Sequence, residues 1–204
     1  MKTIFGKKIG MTRIFSKNGK SLPVTVVEVG PCFITQVKKS DINGYNSVQI
    51  GFDKAKYTNK PEAGHLRKSK KENLSFLKEA RIEKTKIDDY NVGDEIKVDI
   101  FSVGDIVNTS GVSKGKGFQG TVKRHNFHTG PKSHGSDNYR QPGSIGATYP
   151  QRTIKGKRMS GHMGNDNVTV KNLEIVDIIK ENNLIVLKGA IPGIKGSIIV
   201  IKGK

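Results

Sequence analysis

Apolar residues in this chain recur mostly in short β-branched runs bounded by Gly, Pro and Asn, the pattern of strands and turns rather than of helices. Val24–Val29 and Phe33–Val37 flank Gly30-Pro31, which reads as a turn. Ser47–Phe52 follows the turn pair Asn43-Gly44. Strand character resumes at Ala80–Lys86, Glu95–Phe101 and Asp105–Thr109. It returns near the end in Asn167–Val170, Leu173–Ile179, Asn183–Leu187 and Gly196–Ile201. Glu181–Asn183 reads as a hairpin turn, and Gly189–Gly196 as a loop around Pro192. One helical signal stands apart. Lys60-Pro61-Glu62 puts Pro at a first helical position and an acid at the positive end of the helix dipole, which predicts one or two short surface helices reaching about Leu77. Many short strands with such turns predict a mainly β protein with minor α, a small barrel that uses both ends of the chain. The charged helical stretch near 55–80 is then expected to form a side lobe on a body made of residues 1–111 and 165–204.

Residues 112–164 differ in kind. Their apolar members, Phe118, Val122, Phe127, Tyr139, Ile145, Tyr149 and Ile154, are isolated and follow neither a 3.6 nor a 2.0 period. Such a segment cannot bury enough apolar surface to offset its ordering entropy. A structureless stretch of this length is either functional or disordered. As a hairpin, each limb reaches at most ~80 Å at ~3.3 Å per residue.

Charge decides between those two readings. The chain has 204 residues with 36 Lys+Arg against 18 Asp+Glu, a net charge of +18. Residues 112–164 hold ten of the basic residues and a single acid, Asp137, for +9, half the total in a quarter of the length. They also hold four of the five His. Lys and Arg alternate there with Gly, His, Phe and Tyr. That mix pairs with phosphates, lets backbone approach closely and offers rings for stacking on bases. The segment therefore reads as an arm that orders against a polyanion, nucleic acid being the commonest. The longest apolar runs, Leu184–Leu187 and Ile198–Ile201, fall far short of the ~18 residues of a membrane span. No signal-peptide core fits the Gly- and Lys-interrupted N-terminus, so a cytoplasmic protein is expected. The lone Cys32 reads as a small buried apolar residue.

Several motifs tempt and fail. Gly115–Gly120 matches G-x-G-x-x-G, but a dinucleotide site needs a strand before it and an apolar-faced helix after it, and Thr121–Pro131 has no such face. His125, His128 and His134 lie in cationic surroundings that oppose a divalent ion, so no metal and no cofactor is expected. Two rivals to a fixed RNA-binding role stay open on composition: a free-standing RNA chaperone, and an RNA-processing enzyme that uses the arm histidines, which would need a folded pocket to tune them.

The arm carries longer motifs. Ser113–Gly120, Val122–Phe127, Gly130–His134, Arg140–Gly146 and Lys155–Gly164 resemble, in order, the arm of bacterial-type large-subunit ribosomal protein three. Gly6–Phe15 is similar to the same family's N-terminal strand, and the likeness is collinear from residue 4 to the C-terminus. The resemblance implies a translation-factor-like β-barrel with a small α/β lobe near 55–90 and a long irregular basic extension. It implies a non-enzymatic constituent of the large ribosomal subunit whose partners are 23S-type RNA and neighbouring ribosomal proteins. It further implies that the protein nucleates subunit assembly and extends its arm toward the peptidyl transferase centre. Candidate RNA contacts are then Lys114, Lys116, Phe118, Gln119, Lys123, Arg124, His125, Phe127, His128, Lys132, His134, Arg140, Arg152, Lys155, Lys157, Arg158 and His162. Tyr149, Pro150, Gln151 and Arg152 would lie at the tip nearest the catalytic RNA. Many bacterial members have a methylatable Gln three residues after the glycine equivalent to Gly146. Here that position is Tyr149, so the modification does not carry over.

Overall fold

The computed structural model describes residues 2–16, 18–69, 71, 73–82, 87 and 89–204. The chain divides into two compact units, one of Met1–Val112 with Asn167–Lys204 and one of Ser113–Asp166. Twelve strands are described: β1 (Thr3–Phe15), β2 (Ser21–Val29), β3 (Cys32–Lys38), β4 (Ser47–Lys54), β5 (Leu74–Arg81), β6 (Glu95–Ile96), β7 (Ile106–Val112), β8 (Gly117–Gln119), β9 (Gly161–Met163), β10 (Asn167–Ile179), β11 (Leu184–Lys188) and β12 (Ile198–Gly203). Three short helices are α1 (Ser40–Asn43), α2 (Lys60–Leu66) and α3 (Thr121–His125).

In the first unit six strands close into an antiparallel barrel in the order β1-β12-β7-β10-β11-β2, with β2 pairing back onto β1. Both ends of the chain contribute, as the placement of the apolar runs predicts. Alternation sets the faces: on β12, Ile199 and Ile201 are buried while Ile198 and Val200 are half-buried. At the closure β1 runs tight against β2. A Cβ on Gly6 would meet the Glu28 carbonyl oxygen at 2.5 Å and the Val29 side chain at 2.7 Å, so only glycine fits there.

A second antiparallel sheet, in the order β5-β4-β3-β6, shares its core with the barrel, and Phe5 and Phe76 meet edge to face at 5.4 Å. Its strands start at Cys32, ahead of the 55–90 stretch. Helix α2 begins where Pro61 and Glu62 predict, with the Asn59 N–H donating to Glu62 Oε2 at 3.1 Å and Leu66 fully buried.

Three local expectations are corrected. The helical stretch ends at a 3-10 turn, Arg67–Ser69, and Leu74–Leu77 is strand. Charged composition suggested helix there, but β5 pairs along β4, Phe76 opposite Phe52, and this tertiary pairing prevails. Of Glu95–Phe101 only Glu95–Ile96 is strand. Val98–Ile100 is a 3-10 turn, which brings Val98 and Phe101, three residues apart, to the same buried side. Asn167–Val170 and Leu173–Ile179 form one strand, interrupted by an irregularity between Val170 and Leu173 where Asn172 takes φ +57°. The strand predicted at Ala80–Lys86 runs through Arg81, and residues 83–86 lie outside the described residues.

Cys32 is fully buried and its thiol donates to the Phe5 carbonyl oxygen at 3.6 Å. Burial pushes the thiol pKa up to about 12. The folded protein is therefore expected to resist thiol reagents at pH 8 and to take up one equivalent on unfolding in urea, measured by absorbance. Rapid labelling of the folded chain would contradict this burial.

Candidate nucleic-acid interface

The second unit, Ser113–Asp166, holds ten basic residues against Asp137 and Asp166. It is not the structureless stretch that its composition predicts. Without a core, it folds at its root on backbone hydrogen bonds and glycine contacts. The Ser113 N–H donates to the Asp166 carbonyl at 2.9 Å, and the Asp166 N–H returns to Ser113 Oγ at 3.1 Å. The Lys116 N–H donates to the Met163 carbonyl at 2.9 Å. Strands β8 and β9 then pair antiparallel, Gly117 with Met163, Phe118 with His162 and Gln119 with Gly161. Gln119 Nε2 donates to the Lys116 carbonyl.

Helix α3 follows and is ended by Asn126 in the left-handed region, φ +58°, a conformation Asn tolerates. Its last turn reaches across to the returning limb. Arg124 Nη1 donates to the Met159 carbonyl at 2.8 Å, and His125 Nε2 lies 3.1 Å from the same oxygen, which requires the proton on that nitrogen. A Cβ on Gly161 would sit 2.8 Å from Arg124 Nη1, so the guanidinium lies directly over this glycine.

Beyond the root the unit is open. The Gly130 N–H donates to the Tyr139 carbonyl at 2.9 Å, and Lys132 Nζ stands 5.4 Å from the centre of the Tyr139 ring. Residues 140–158 are all exposed. They are shaped by short local bonds, such as the Arg152 N–H to the Pro150 carbonyl at 2.6 Å and the Lys157 N–H to the Ile154 carbonyl at 3.2 Å. Tyr149 is 87% exposed, large for an aromatic ring.

Of the candidate contacts, Lys114, Lys116, Phe118, Lys123, His128, Lys132, His134, Arg140, Tyr149, Pro150, Gln151, Arg152, Lys155, Lys157, Arg158 and His162 are exposed. Gln119, Arg124, His125 and Phe127 are half-buried. His125 and Phe127 pack ring to ring at 6.1 Å. The side chains thus fall into two sets, one turned into the root and one presented to solvent. Sequence reading gives no signal for Met159, whose part is played by its backbone oxygen. Among the described residues no group of three or more His, Cys, Asp or Glu is placed to hold a metal ion.

A closed β-barrel body with a cationic, glycine-rich and largely exposed second unit defines the class of basic barrel proteins equipped to engage a polyanion. Comparison with known proteins narrows the class. Residues 64–183 match the family model described as Ribosomal protein L3. The large ribosomal subunit protein uL3 of Desulforapulum autotrophicum is 50% identical over 204 residues, covering 98% of this chain and 98% of its own. That of Carboxydothermus hydrogenoformans is 49% identical over 203 residues, 98% and 96%. That of Bacillus thuringiensis is 48% identical over 204 residues, 99% and 96%. The chain belongs to the ribosomal protein L3 family. As a member it is a structural component of the cytoplasmic ribosome and not an enzyme, which removes the RNA-processing reading of the arm histidines.

Proposed function

We propose that the protein binds large-subunit ribosomal RNA directly through the Ser113–Asp166 unit, helps nucleate subunit assembly and sends the segment around Tyr149–Arg152 toward the peptidyl transferase centre. The observation that carries this reading is the state of the unit's cations. Nine of its ten Lys and Arg side chains are exposed, with two acids in the same unit to offset them. Basic side chains in this density neutralise crowded phosphates and release counterions. The glycine-rich backbone enters crevices that bulkier residues cannot, and the lack of a core suits recognition of RNA shape. The names of the relatives, all large-subunit proteins, support a place in the large subunit.

Binding to deproteinised large-subunit RNA should fall steeply with salt. If ~8 phosphates are engaged, log K falls against log salt with a slope of about −6 to −7. In cells the chain should sediment with large subunits at one copy each after a moderate salt wash. A slope near zero would refute binding through the cations, and recovery mainly in the free fraction would refute the proposal in favour of a loosely bound chaperone.

A further inference from the structure

The ribbon of β8 and β9 has two unlike faces. Side chains alternate across a strand, and residues directly opposite emerge on the same side with Cβ atoms about 5 Å apart. Gln119 with Gly161, and Gly117 with Met163, belong to one face. That face is occupied, because the Arg124 guanidinium covers Gly161 and is tied to the Met159 carbonyl. Phe118 and His162 are partners on the other face. Phe118 is 75% exposed and His162 is exposed, so the unit's own packing uses neither ring.

We infer that Phe118 and His162 form a stacking platform for an unpaired RNA base, held in place from behind by Arg124 on Met159. This deepens the RNA-binding proposal and rests on it. Charge favours a base over an apolar protein surface as the occupant. Lys116, two residues before Phe118, is exposed, and interface cores between proteins are depleted of Lys. Exposed rings with a cation beside them in the chain are what a base and its flanking phosphates require, and such stacking tolerates any base. The glycines beside the rings, Gly117 and Gly161, leave the ribbon edge thin. Arg124 acts here as a positioning residue, since its guanidinium is turned toward the returning limb.

The test uses the full chain and deproteinised large-subunit RNA. Phe118→Ala and His162→Ala should each weaken binding about tenfold, within the range of base–aromatic stacking, and leave the salt slope unchanged. Lys116→Ala should instead make the slope shallower by ~0.7–0.9. Phe118→Leu keeps apolar bulk but lacks a π-face, so it should bind as weakly as Phe118→Ala, while Phe118→Trp should bind at least as tightly as the natural chain. Hydrogen exchange at the Lys116 N–H, unchanged in all four ring variants, shows that the ribbon persists. Wild-type affinity in Phe118→Ala and His162→Ala overturns the platform. If those variants also fail to enter subunits, the occupant is a protein. A natural chain that does not bind the RNA brings down the RNA-binding proposal itself, an outcome distinct from failure of the platform alone.

Discussion

A chain in which a two-residue Asn-Gly turn replaces residues 113–166 is expected to fold as a closed barrel and to fail to enter large ribosomal subunits. Val112 and Asn167 are cross-strand partners of β7 and β10, and a two-residue turn joins antiparallel partners of this kind. The buried cluster shared by the barrel and the second sheet draws every one of its residues from 1–112 and 167–204. No core volume is lost, so the far-ultraviolet spectrum keeps its β signature and the melting temperature moves by only a few degrees. RNA affinity at ~0.1 M salt should fall at least ~100-fold, because the ten cations removed are the source of the counterion release. It should not vanish, since 26 basic residues against 16 acidic remain in the body. An insoluble product would show that the second unit is needed for the core. Normal incorporation would show that the body alone carries the binding.

The barrel was legible because its information is local and periodic. β-branched runs such as Ile198–Ile201 need only a partner on each side, and any antiparallel closure serves them. The misread elements are those whose state depends on a distant partner. Leu74–Leu77 is strand because β4 lies beside it, and Val98–Ile100 is a 3-10 turn because β6 pairs through only two residues. Charge was legible in the second unit too, as the exposure of Lys114, Lys155 or Arg158 illustrates. Its folded root was not. The root is made of a carbonyl oxygen at Met159, N–H groups at Ser113 and Lys116, and the missing Cβ atoms of Gly161 and Gly164. None of these leaves a hydrophobic period. For the same reason Arg124 and Lys123 are alike in the sequence but differ in the fold, one turned onto Met159 and the other exposed.

Gly164 is where that hidden design is most exposed to a single substitution. Its φ is +79°, and an added Cβ would collide with the Lys114 carbonyl oxygen and come within 3.1 Å of the Gly115 Cα. Both obstacles are backbone, so neither can rotate away. A left-handed L-residue alone costs about 1–2 kcal/mol, and the collision adds to it. The root resists with a few backbone bonds worth about 0.5–1.5 kcal/mol each. These magnitudes are comparable, so Gly164→Ala is expected to open the root. The Lys116 N–H should lose its exchange protection, trypsin should cut near Lys114–Lys123, and RNA binding should weaken while the barrel melts as before. Gly164→Asn separates the two causes. Asn accepts the left-handed region, as Asn126, Asn165 and Asn172 do in this chain. If strain in φ were the whole cost, Gly164→Asn would be tolerated; because the carbonyl blocks any Cβ, it should fail like Gly164→Ala. Gly117, with φ +68° and nothing within 4 Å of its Cβ position, provides the contrast. Gly117→Asn should leave the root closed. A protected Lys116 N–H in Gly164→Asn would mean that the limbs do not approach as closely as this geometry requires, and with them the support behind Phe118 and His162 would go.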